Sequence, residues 1–135
     1  MNLAFFLTPV AEVAWLPVDT TVGEAIEAMR AHRYTAVPLL DPDRRYVGTL
    51  TSSDLLHWVA QAGALDRRLS EVPRALENRA VGIDTDVRAM FAVAEDQNFV
   101  PVIDSRGVMM GIVTRKAIIT FFERLLAEHG LLPDD

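Results

Sequence analysis

The chain repeats itself, and the repeat limits what it can fold into more than any other feature. Pro38 is answered by Pro101 (101 − 38 = 63), Asp41 by Asp104, Gly48 by Gly111 and Thr51 by Thr114. The segment Val37-Pro38-Leu39-Leu40-Asp41 returns as Val100-Pro101-Val102-Ile103-Asp104 with no gap between the matches. Upstream the spacing lengthens: Thr20 is answered by Thr85 (85 − 20 = 65) and Val22 by Val87, so the second copy is two residues shorter in its helix–strand region. A repeat of this period makes each copy one supersecondary unit that needs its neighbour to bury its apolar face.

The local patterns give the unit its shape. Leu3–Leu7 is an apolar strip ended by Pro9, expected as a strand or docking arm, and Val13–Val18 is a second short apolar stretch. Behind the cap candidates Thr20 and Thr21, residues Val22, Ala25, Ile26 and Met29 fall on one face of a helix. Thr35–Leu40 and Tyr46–Thr51 read as strands around the turn Asp41-Pro42-Asp43. Ser52 or Ser53 is the expected cap of the next helix, with Leu55, Leu56 and Val59 on one side and Gly63 as its stop. In the second copy Ala80–Ile83 reads as a strand, and Asp84-Thr85-Asp86 caps a helix to about Glu95. Strands Phe99–Ile103 and Val108–Thr114 and a helix from Arg115 to about His129 complete it. The expected fold is α/β (α+β): two β-α-β-β-α repeats, residues 1–63 and 64–135, packed sheet to sheet with pseudo-two-fold symmetry. A single half of about 60 residues would be marginal alone.

Composition narrows the function. At 135 residues and net charge −6, the chain is a poor candidate for nucleic acid or an anionic membrane surface. It has no cysteine, hence no disulfide, thiolate metal site or cysteine nucleophile. His57 and His129 lack acidic or histidine partners at ligand spacing, so no metal site is expected. No nucleophile–base pair, phosphate-cradling glycine loop or paired-carboxylate constellation is evident, which argues against an enzyme. The apolar start is too short for a signal peptide or membrane span, and a soluble, cytoplasmic protein is expected.

The doubled apolar-Pro-apolar-apolar-Asp strand is followed by Gly48-Thr49-Leu50-Thr51-Ser52-Ser53-Asp54 in the first copy and by Gly111-Ile112-Val113-Thr114-Arg115-Lys116-Ala117 in the second. This resembles a tandem pair of CBS domains, the Bateman module, over nearly the whole chain. The resemblance implies a regulatory module that senses an adenosine-containing ligand between the repeats: AMP, ADP or ATP, with S-adenosylmethionine or cyclic di-AMP less expected. It also implies a disc-like homodimer and an effector protein to receive the signal. By the same analogy Arg33 and His32 would meet phosphate, and Asp54 would accept the ribose diol. Thr51 and Ser53 would help at the helix N-terminus, Val37 and Ile83 would hold adenine while backbone groups read its edge, and Thr85 would reach in from the opposite repeat.

In the second cleft Ala117 replaces Asp54, and Glu95 and Asp96 replace His32 and Arg33. Carboxylates there would repel phosphate, so one site per chain is expected, with Met90 a candidate to crowd it. The last helix adds Phe121 beside the stripe Ile118, Ile119, Phe122, Leu125 and Leu126. With Leu3–Leu7 and Trp58, it makes a homodimer through helices the expected assembly. The alternative function is a ligand-free dimerisation module.

Overall fold

The computed structural model describes residues 2–75 and 78–130. The first half runs β2 (Leu16–Pro17), α1 (Val22–His32), β3 (Ala36–Leu40), β4 (Tyr46–Thr51) and α2 (Ser52–Ala60). The second runs β5 (Val81–Gly82), α3 (Val87–Ala94), β6 (Phe99–Ile103), β7 (Met109–Thr114) and α4 (Arg115–Glu128). A short β1 (Thr8–Pro9) precedes both. The sheets are ordered β2-β3-β4 and β1-β7-β6-β5. The register repeats with the sequence: Leu16 lies against Leu39 as Val81 lies against Val102, both in parallel. Pro38 faces Thr49 as Pro101 faces Ile112, both antiparallel.

Each sheet buries one face under its own helices. Val22, Ala25, Met29, Val37, Leu39, Leu50 and Leu55 form the first core. Val81, Met90, Ala94, Val100, Val102 and Val113 form the second. Met90 is thus a core residue with no exposed surface and crowds no cleft.

The halves meet about the pseudo-two-fold axis at their hairpin turns. Tyr46 N–H donates to the Gly107 carbonyl and, as its symmetry mate, Met109 N–H donates to the Arg44 carbonyl. Arg45 and Val108 bridge between them.

The connecting segments cross over. Leu3–Phe6 is a 3₁₀ turn rather than a strand, because Asn2 accepts from Ala4 N–H at 2.8 Å and Leu3 and Phe6 fall on one side. Both side chains bury in the second core, and β1 pairs with β7 there. Leu69–Glu71 is the matching turn, and Leu69 and Val72 bury in the first core. Backbone bonds from Leu69 to Thr20 and from Ser70 to Val18 fasten it to the first half.

Helix ends differ from expectation in two places. Thr51, not Ser52 or Ser53, caps α2: its hydroxyl accepts from Asp54 N–H while the Asp54 carboxylate accepts from Thr51 N–H. The left-handed residue that ends this helix is Ala62 (φ 59°), not Gly63. Gly63 is required because a Cβ there would lie 2.4 Å from the Trp58 ring.

Candidate functional site

Two of the expected site residues share a slot in the first half. His32, at the end of α1, stacks on Tyr34 with ring centroids 5.5 Å apart. Both line a cavity of about 180 Å³ with Ala14, Trp15, Leu16, Ala28, Met29 and Val37. Val37 belongs to the core and forms its floor. The Arg44 guanidinium lies 5.1 Å over the ring of Trp15, so a cation stands against one of the slot's aromatic residues.

Arg33 sits between His32 and Tyr34 in sequence and adopts the left-handed conformation (φ 57°) that ends α1. Its N–H donates to Arg30 and that of Tyr34 donates to Met29, the bond pattern of a Schellman close. Its exposed side chain lines a neighbouring groove of about 530 Å³ between α1 and α2, with Ile26, Met29, Leu55, Leu56 and Val59.

The pairing of Arg33 with Asp54 across one crevice is not what the structure holds. Ser52, Leu55, Leu56 and Val59 turn toward that groove. At 100° per residue Asp54 lies roughly 150° around α2 from them. Its carboxylate is buried, 5% exposed, and both oxygens are engaged. Oδ2 accepts from Thr51 N–H at 2.9 Å, and Oδ1 accepts from Ala75 N–H at 3.0 Å. Asp54 therefore caps a helix and ties down the connecting segment, and Thr51 is spent on the same cap. Ser53 is exposed one position away. Ile83 packs against the second core, and Thr85 stands in the turn before α3 with its N–H on the Gly82 carbonyl. None of Thr51, Ser53, Asp54, Ile83 and Thr85 lines the His32 slot.

Gln97 is the residue that sequence reasoning missed. It occupies the position corresponding to Tyr34 (97 − 34 = 63) and is 5% exposed. Its Oε1 accepts from Arg79 N–H at 2.6 Å; its Nε2 donates to the Arg79 carbonyl at 3.0 Å and the Phe99 carbonyl at 3.1 Å. Arg79 in turn corresponds to Ala14 of the open slot (79 − 14 = 65), an equivalence fixed by the matched registers of β2 and β5. The sequence signal was an amide two positions before an apolar strand, at a point where the first repeat has an aromatic ring.

A third space, of about 540 Å³, separates β4 from the connecting segment and is lined by Tyr46, Gly48, Arg74, Asn78, Ala80 and Ile103 among others. The Arg74 side chain fills the room left by the missing Cβ of Gly48. Tyr46 shares a 2.7 Å hydrogen bond with Thr49 and donates to the Asn78 carbonyl. Burial pushes its phenol above the ordinary value of 10.0.

The CBS-domain family model matches residues 7–61, which span β1 to the end of α2. A CBS domain is matched over that segment. The fold over 96% of the chain matches CbpB in complex with c-di-AMP, at 25% identity and TM-score 0.84, covering 89% of that chain. A CBS domain protein from Streptococcus pneumoniae TIGR4 matches at 26% identity and TM-score 0.81, over 91% of this chain and 87% of its own. CBSX2 in complex with AMP shares the fold at 20% identity and TM-score 0.72, over 92% of this chain and 97% of its own. The inosine-5'-monophosphate dehydrogenase of Methanocaldococcus jannaschii is 25% identical over 114 residues, 82% of this chain. The chain spans only 22% of that enzyme's length. Among the described residues no helix is long and apolar enough to cross a membrane.

Proposed function

We propose that this chain is a non-catalytic regulatory module that takes one adenosine-containing ligand per chain, with the base in the slot between Ala14–Leu16 and Tyr34. The observation that carries this reading is the slot itself. A cavity of about 150 Å³ is enough to hold a benzene ring, so about 180 Å³ suits a planar base whose ribose and phosphates extend outward. Trp15, His32 and Tyr34 supply aromatic surface, and base–aromatic stacking contributes about 1–3 kcal/mol per base. Arg44, stacked on the Trp15 ring, supplies a guanidinium suited to phosphate in a chain of net charge −6. Two CBS-domain proteins of the same fold hold c-di-AMP and AMP, in keeping with an adenine ligand. The ligand regulates by binding one arrangement of the halves more tightly than another, and an effector protein reads the difference.

A thermal-denaturation series with AMP, ADP, ATP, S-adenosylmethionine and cyclic di-AMP tests the reading. A true ligand at about 100 times its Kd adds roughly 2.7 kcal/mol of stability. Trp15→Ala and Tyr34→Ala should each remove that gain. No response to any of the five compounds contradicts the reading.

A second reading, a homodimerisation module acting through its helices, is favoured by exposed apolar side chains at matching places in the two halves. Leu56 and Val59 on α2 are 71% and 44% exposed; Ile119 and Phe122, at the equivalent places on α4, are 56% and 40% exposed. Single surface apolar residues are ordinary, but a stripe repeated on both halves has the form of an interface. Light scattering on the parent and on Leu56→Glu with Ile119→Glu decides it: a dimer that becomes a monomer supports this reading, and a monomeric parent excludes it.

A further inference from the structure

We propose that Gln97 is an internal occupant of the second base slot, its carboxamide standing where a ligand's base would be read. This rests on the first reading of the function only in assigning the open slot to a base. The two halves correspond position by position: Ala14 to Arg79, Trp15 to Ala80, Leu16 to Val81, Tyr34 to Gln97 and Val37 to Val100.

In the first half these residues enclose space. In the second the Gln97 side chain reaches the main chain of Arg79, with its oxygen on the N–H and its nitrogen on the C=O. An acceptor beside a donor in one plane is also the edge that adenine presents through its N1 and its 6-amino group. The carboxamide is therefore a small copy of that edge, covalently attached, and its local concentration exceeds that of any free base. The Phe99 carbonyl takes the remaining amide hydrogen, so the plug has every polar atom satisfied.

The inference accounts for one ligand per chain without the carboxylates at Glu95 and Asp96: a ligand's base is kept out of the second half because a side chain is already there. It names Gln97 as the residue that sets the number of sites. Removing it should create a site for a planar amide or amidine, a chemical class the parent's second half does not take.

Free adenine is the probe, with N6,N6-dimethyladenine as the control that keeps the ring and loses the donor. Gln97→Ala should lower Tm by roughly 5 °C or more, since buried main-chain groups lose their partners. Saturating adenine should return several degrees to Gln97→Ala beyond any gain in the parent, and calorimetry should count one more adenine per chain than in the parent. Dimethyladenine should give no such gain, and Gln97→Leu, which refills the space, should bind adenine only as the parent does. A folded Gln97→Ala with the parent's stoichiometry overturns the inference and leaves the first-half slot standing. A parent that binds no adenine, beside a Gln97→Ala that binds one, sinks the first-half reading and supports the plug. If Gln97→Ala does not fold alone, it and the milder Gln97→Ser are refolded with adenine. Recovery of the helical circular-dichroism signal supports the inference, and no recovery overturns it.

Discussion

The two halves share a backbone and differ in how each holds the segment that crosses onto it. In the first, Asp54 accepts the N–H of Ala75. In the second, Ala117 stands where Asp54 does, and the residue answering to Ala75 is Pro9 (75 − 9 = 66), which has no N–H to give. Acceptor and donor are missing together. Loss of both partners of a buried bond is nearly neutral, whereas loss of one leaves a desolvated group. The second half fastens its segment differently, by pairing β1 with β7, so closely that a Cβ on Gly111 would sit 2.1 Å from the Thr8 carbonyl oxygen. The first half meets Gly48 with the Arg74 side chain instead. The lesson is that an acidic residue present in one repeat and absent from the other can record a difference in internal fastening rather than in ligand.

Changes at these fastenings test the comparison. Asp54→Ala should cost about 3 kcal/mol, the sum of a lost helix cap and the charge-assisted bond to the part-buried Ala75 N–H, measured by urea unfolding. A loss under about 1 kcal/mol would mean that the carboxylate is not a structural tie. Gly111→Ala should cost about 2 kcal/mol because its neighbour is main chain. Gly48→Ala meets a side chain that can swing away, so its cost should come from the positive φ and be unchanged in an Arg74→Ala background. A cost that falls in that background would erase the distinction between the two closures.

Tyr46, whose phenol bonds the connecting segment, gives a pH signature. Its raised pKa means that the folded state favours the neutral phenol. That contribution is complete below the unfolded value near 10 and is lost as pH rises through the folded value. Tm should therefore fall more steeply above pH 10 in the parent than in Tyr46→Phe. The smallest effect is a gain: Arg33→Gly relieves a left-handed residue and should stabilise by about 0.5–1 kcal/mol.

Much of the fold was legible because the repeat carried it. The 63-residue spacing that aligned Pro38 with Pro101 reappears as matched strand registers, and the apolar positions of α1 are the positions it buries. The site was legible only in part. His32 and Val37 share a slot with Tyr34, a ring that lies between them in the chain. Asp54 reads in sequence as a free acceptor because Ala75, its second partner, is 21 residues away and is brought near by the crossing segment. Thr51 took the cap expected of its serine neighbours because only its hydroxyl reaches Asp54 N–H. Gln97 was hidden for a similar reason. Its partner Arg79 lies 18 residues back, and only a position-by-position comparison of the repeats sets it against Tyr34.

The most direct test is a calorimetric titration of AMP into the parent, Trp15→Ala and Asp54→Asn. One site per chain in the parent and in Asp54→Asn, with none in Trp15→Ala, is the expected result. Binding that persists in Trp15→Ala and vanishes in Asp54→Asn would contradict it, and would return the ligand to the carboxylate of α2.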